Sequence, residues 1–334
     1  KPICIGFTGR LVCGGKKRQY CFFIGNKFCY TQAFICPHEA TRMTVFKHCT
    51  RPHTMQNLNT LYQASRDFTA TDTMPVFFFG HGSPMNAIEE NEFTQTWQHI
   101  GENLPTPTAI LAISAHWLTQ GGTAVTAMDA PRTIHDFGGF PQALFDVQYP
   151  AAGSPALAHT VIDTLNQTHV HEDMEWGLDH GTWSVLKHVF PQANVPIVQL
   201  SIDYSQGAAY HYQLGQQLAA LRRKGVLIVA SGNMVHNLRM VSWKKPVDEA
   251  FGFDWTLEAN ERFKAMLLSQ DHQGLMDWQN QGEAFRLAIP TPDHYYPMMY
   301  SMGLQEASDE LTFFNDKAVM GSLTMTSYRL DAKV

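Results

Sequence analysis

At 334 residues, with 44% hydrophobic and 16% charged side chains, the chain can bury one large core or two smaller ones. A formal net charge of −6 argues against nucleic acid as the partner, because phosphate backbones demand concentrated Lys and Arg. No apolar run approaches the roughly 20 residues of a bilayer-spanning helix, so no membrane partner is expected.

The first seventy residues differ from the rest of the chain. All six cysteines (Cys4, Cys13, Cys21, Cys29, Cys36 and Cys49) fall there, and residues 1–66 carry ten Lys and Arg against one acid, Glu39. Three readings compete: a disulfide or zinc module, a basic targeting segment, and a stretch foreign to the fold. The spacings contain no C-x2-C pair, and no apolar core precedes a small-residue cleavage site. The chain also opens on Lys1, with Met43, Met55 and Met74 each preceding a plausible start. The favoured reading is an atypical extension over residues 1–73, poorly ordered, followed by one catalytic domain over 74–334. The absence of cysteine after Cys49 fits a reducing, cytoplasmic setting.

From Met74 onward, strands alternate with helices. Unbroken apolar runs predict strands at 75–80, 109–115, 195–201 and 225–230. Helices are expected at 91–103, 154–166, 209–222, 247–269 and 281–287. Ser154 and Pro155 supply an N-cap and a first-turn proline, and Lys224-Gly225 closes the third helix. Leu311–Phe314 and Gly321–Tyr328 alternate apolar and polar residues and predict a terminal β-pair. The fold class expected is α/β, a single domain with a central mixed sheet covered by helices.

Sixteen histidines make a metal site worth seeking. Three come after predicted strands: His81 after Phe77-Phe78-Phe79-Gly80, His116 after Ser114-Ala115, and His236 after Ser231-Gly232. Ligands in open α/β sheets bind beyond the strands' carboxyl ends, so these three could converge on one metal there. A lone strand-end histidine is more often structural; it is the agreement of three that points to ligation. His180 lies in Asp179-His180-Gly181, where a polar turn is the plain alternative. His135 and His294 read equally well as pocket-wall or turn residues. His99, His159, His169, His171, His188, His211 and His272 are expected on exposed faces. Trp117 and Trp183 suit a pocket shield or ordinary core packing. No H-E-x-x-H is present, which excludes a zincin helix.

Six motifs in order, GHGSPMN, SAHW, TIHDFGGFP, DHGTW, SGNMVHNL and PTPDHYYP, resemble those of the DOPA-type extradiol ring-cleaving dioxygenases of the class III extradiol superfamily. The resemblance runs from Met74 to the C-terminus. It implies an oxidoreductase that inserts O2 into a catechol such as DOPA, giving a muconic semialdehyde. It implies one divalent metal per chain, Zn(2+) or Fe(2+), at His81, His116 and His236, with His180 as a further ligand or the acid–base. His135 and His294 would hold the substrate or its oxygenated form, and Asp136 and Asp179 would orient neighbouring imidazoles. The partners implied are a small aromatic diol and O2. All-histidine ligation departs from the two-histidine, one-carboxylate pattern of non-haem iron oxygenases and suits zinc equally. Zinc has no redox chemistry, so the alternatives are a zinc hydrolase of amides or esters and a non-catalytic metal-site binding protein.

Overall fold

The computed structural model describes residues 19–24, 27–32, 68–166, 168–245 and 249–333. It divides into two compact units, Lys1–Thr60 and Leu61–Val334. In the first, the described residues form an antiparallel hairpin, β1 (Gln19–Ile24) and β2 (Lys27–Gln32). The expectation of poor order over residues 1–73 otherwise lies outside the described residues.

The second unit is built on an eight-stranded mixed sheet. Its strands are β3 (Val76–Gly80), β4 (Ala109–Thr119), β5 (Thr123–Thr126), β6 (Val170–Asp173), β7 (Ile197–Asp203), β8 (Val226–Gly232), β9 (Asp309–Phe314) and β12 (Ser327–Ala332). A small separate ribbon pairs β10 (Ala318–Val319) with β11 (Leu323–Thr324). The sheet order is β6-β5-β7-β4-β8-β3-β12-β9. The middle four strands, β7, β4, β8 and β3, run parallel. At one end β12 pairs antiparallel with both β3 and β9; at the other, β5 pairs antiparallel with β7.

Strict alternation along the parallel strands divides their side chains between two cores. Val76, Phe78, Leu111, Ile113, Val198, Leu200, Ile228 and Ala230 face one core. It is covered by helices α3 (Pro155–Thr164), α5 (Ala208–Leu218), α6 (Asp254–Leu268), α8 (Glu283–Ala288) and α9 (Tyr296–Gly303). Phe77, Phe79, Ile110, Ala112, Ile197, Leu227 and Val229 face the other, under α1 (Glu92–Asn103) and α4 (His180–Val189). Burial on both faces is why these strands read as continuous apolar runs. Two short helices, α2 (Gln142–Phe145) and α7 (His272–Met276), complete the unit.

The local signals act as expected at several ends. Ser154 accepts from Leu157 N at 3.1 Å ahead of Pro155. Asn91 and Thr94 form a reciprocal capping box on α1. The predicted 209–222 helix is α5 followed by a 3-10 stretch, Ala219–Lys224, which ends at the left-handed Gly225. Of the histidines expected on exposed faces, only His99, His169 and His171 are exposed; His159, His188 and His272 are half-buried and His211 is fully buried. It shares the inward stripe of α5 with Ala208, Leu214, Gly215 and Leu218, and α9 packs over that stripe. No described helix is long and apolar enough to cross a membrane.

Candidate active site

Five imidazoles meet at the carboxyl ends of the central strands. His81 is the first residue after β3, and its backbone N donates to Gly232 O at the end of β8, 3.2 Å away. His116 lies inside β4 rather than beyond it. The register of β4 against β7 shifts between Ile113 and Leu118, and that irregularity carries the histidine. Bulges recur beside active sites because they re-aim a side chain. His236 lies four residues past β8 and is fixed by a bridge to Leu323. His180 opens α4 behind its N-cap, Asp179, and His294 precedes α9.

The rings are close. Centroids of His116 and His180 are 3.9 Å apart, and those of His81 lie 5.1, 5.5 and 5.3 Å from His116, His180 and His294. His236 stacks on His294 at 3.5 Å with ring planes 7° apart. Among the described residues, three groups bring ligand atoms within reach of one ion: His81, His116 and His294; His116, Asp136 and His180; and His236, Asp293 and His294.

Hydrogen bonds assign the tautomers. Ser231 Oγ donates to Gly181 O at 2.5 Å, so it must accept from His81 Nδ1, 2.9 Å away. His116 Nδ1 faces Asp136 Oδ2 at 3.2 Å, and a carboxylate only accepts. Each Nδ1 therefore carries its proton, and each Nε2 is left with a lone pair. Those two Nε2 atoms face each other at 3.1 Å. Two lone pairs so placed repel unless a cation lies between them, and neutral imidazoles of fixed tautomer are what a divalent metal takes. The donor set therefore fits a metal.

Electrostatics agree. Burial holds His81 and His294 well below the ordinary histidine range, reinforced by neighbouring imidazoles. Burial lowers His116 to about 3 and His236 to about 4. All four are neutral near pH 7, with nitrogen lone pairs available. Burial raises the Asp136 carboxyl, but its hydrogen bond to His180 and the surrounding imidazoles outweigh this, and it is lowered overall. Asp179 is pushed up to about 6, first by burial and then by the Asp136 charge.

The structure brings His81, His116, His180 and His236 together and adds His294, which the sequence left as a wall or substrate-holding residue. His294 Nδ1 bonds Asp293 Oδ2 at 2.5 Å. His135 belongs to none of the three groups. Its Nε2 bonds Val147 O at 2.9 Å, and its ring packs against Phe137 and Trp183. Of the two carboxylates expected to orient imidazoles, only Asp136 touches them. Asp179 instead bonds Thr182 N and Gln199 across to β7. Trp117 and Trp183 are both buried, and Trp183 Nε1 donates to Ile134 O at 2.8 Å. Sequence reasoning missed Ser231 and Asp293. Asp293 was discoverable, being adjacent to a motif histidine.

Residues 74–330 match the family described as the catalytic LigB subunit of aromatic ring-opening dioxygenase. The chain belongs to this family. This LigB-family enzyme is therefore an aromatic ring-opening dioxygenase, as its six motifs implied. It is 48% identical over 261 residues to 4,5-DOPA dioxygenase extradiol of Escherichia coli (strain K12), covering 77% of this chain and 94% of that one. It is 32% identical over 262 residues to the Beta vulgaris protein of the same name, covering 76% and 95%. The crystal structure of an uncharacterized protein from Escherichia coli K12 superposes with a TM-score of 0.68 at 42% identity, covering 77% of this chain and all of that one.

Proposed function

We propose that this LigB-family enzyme cleaves the ring of a catechol, DOPA or a close analogue, on the bond beside its diol, using a single Fe(II). Both oxygen atoms of O2 enter the product, a muconic semialdehyde, so the reaction needs no outside reductant. The observation that carries the metal-bound reading is the facing pair of bare Nε2 atoms on His81 and His116. His294 groups with them, and His236, which groups with His294 and stacks on its ring, would be the further ligand. Fe(II) held there would supply the electron relay between a bound diol and O2 that zinc, without redox chemistry, cannot. The relatives named 4,5-DOPA dioxygenase extradiol support the catechol and the position of cleavage.

The chain's own groups divide the remaining work. His180 is the acid–base. Its Nδ1 is held by Asp136 Oδ2 at 2.9 Å, which leaves Nε2 to take a proton from a catechol hydroxyl and return it after the ring opens. Phe137 presents its ring edge-on to His180, with centroids 5.5 Å apart, and Phe140 and Phe145 back it. This aromatic wall excludes water beside the base and suits a flat substrate.

The test is anaerobic reconstitution of the full chain with Fe(II), addition of DOPA, then admission of oxygen. One O2 consumed per yellow semialdehyde formed is expected, with about one iron bound per chain. His81→Ala should lose the iron; His180→Ala should keep it and lose turnover. Ester hydrolysis with Zn(II), and no semialdehyde with Fe(II), would overturn the proposal.

A further inference from the structure

We infer that Asp136 is a positioning residue that sets the tautomers of two histidines at once, the ligand His116 and the acid–base His180, through a single carboxylate oxygen. Asp136 Oδ2 lies 2.9 Å from His180 Nδ1 and 3.2 Å from His116 Nδ1. Its Oδ1 accepts the backbone N–H of His180 at 2.9 Å. A carboxylate has no proton to give, so both imidazoles must present Nδ1–H to it. Both Nε2 atoms are thereby left bare. Free histidine prefers the opposite tautomer, with its proton on Nε2, so this arrangement must be imposed. Asp179, the neighbour of His180 in sequence, bonds no imidazole and cannot impose it. The two rings stand 3.9 Å apart with Asp136 reaching both. One side chain thus fixes the spacing of ligand and base as well as their protons.

The carboxamide isostere separates this role from simple space-filling. Asparagine has one acceptor and one donor where aspartate has two acceptors. If its oxygen faces the imidazoles, its NH2 opposes the His180 backbone N–H. If reversed, its NH2 meets both Nδ1 atoms and drives their protons to Nε2, where they block the site. Alanine merely cuts the link and admits water. A residue that acts by volume alone tolerates Asn better than Ala; Asp136 should show the reverse order.

The consequence for metal binding rests on the metal-bound reading above; the consequence for tautomers does not. Full-length wild type, Asp136→Asn and Asp136→Ala are first shown to be folded by thermal unfolding. Long-range 1H–15N spectra of metal-free, 15N-histidine-labelled protein should then show His116 and His180 protonated on Nδ1 in wild type, with at least one moved to Nε2 in Asp136→Asn. Competition with a chromophoric chelator should show Zn(II) bound 10- to 100-fold more weakly by Asp136→Ala, the usual effect of removing such a partner, and at least as weakly by Asp136→Asn. Wild-type tautomers in Asp136→Asn, or Zn(II) affinity closer to wild type in Asn than in Ala, would overturn the inference. If wild type itself binds no Zn(II) or Fe(II), the metal-bound reading fails, and the tautomer spectra still decide the role of Asp136.

Discussion

Gly181→Ala adds one methyl group where α4 packs against β4. A Cβ at Gly181 would overlap Ser114 Oγ and stand 2.9 Å from His116 Cδ2. Carbon atoms pack at roughly 3.5–4.0 Å, so the His116 ring must retreat by about 1 Å. Ser114 can rotate away, giving up a hydrogen bond worth about 1 kcal/mol. His116 has less freedom, since Asp136 holds Nδ1 and Nε2 meets that of His81. Overpacking costs about 1–3 kcal/mol of stability. Replacing a helical glycine by alanine returns up to about 1 kcal/mol, so the net loss of fold is small. A misplacement of about 1 Å in an active site costs about 10²-fold in rate. The expected result is therefore a folded protein with about a hundredth of wild-type oxygen uptake and weakened iron retention. Gly207→Ala, where an added Cβ meets nothing within 4 Å, is the control and should stay within twofold. Gly181→Ala within threefold of wild type in both uptake and iron content would refute the claim that α4 is packed directly on the His116 ring.

Two further predictions concern buried polar groups away from the histidine cluster. Arg222 and Asp309 form a fully buried bidentate pair, at 2.6 and 2.9 Å, and Arg222 also donates to the carbonyls of Met74 and Leu304. Asp309→Asn strands a buried cation and should cost about 3–5 kcal/mol in urea unfolding at pH 7, against less than 1 kcal/mol if the pair were incidental. Burial lowers His211 to about 4, so folding keeps it neutral while the unfolded chain protonates near 6.5. Its contribution is therefore fully present above pH 6.5, falls as pH drops below that value, and is exhausted near pH 4. The size is about 3 kcal/mol at most. The stability gap between wild type and His211→Phe should accordingly narrow by about 2–3 kcal/mol from pH 7 to pH 4.5; a gap independent of pH would show that His211 titrates normally.

The elements legible in the sequence are those whose interactions leave a local trace. β3, β4, β7 and β8 could be read because burial on both faces makes them continuous apolar runs. By contrast, α9 is buried along its whole length, so Tyr296–Gly303 shows no polar face and no helical period. β6 fails for the opposite reason: Val-His-Glu-Asp is an exposed edge strand with no apolar signal. The site divides in the same way. Strand ends deliver His81 and His236, and strand ends are visible in sequence; the irregularity inside β4 that aims His116 is not. The tautomers depend on contacts between distant segments: Ser231 on His81 across 150 residues, and Asp136 on His180 across 44. No window along the chain contains both partners of either contact. Yet these contacts are what hold the imidazoles in defined tautomers. The motif aspartates 136 and 179 look alike in sequence, each beside a histidine, but the fold gives them opposite tasks. Asp136 faces two imidazoles across the strand ends, whereas Asp179 turns inward to cap α4 and clasp Gln199 on β7. Helix capping and imidazole orientation both call for a carboxylate, so residue type alone could not separate them; only the direction in which the backbone points each side chain does.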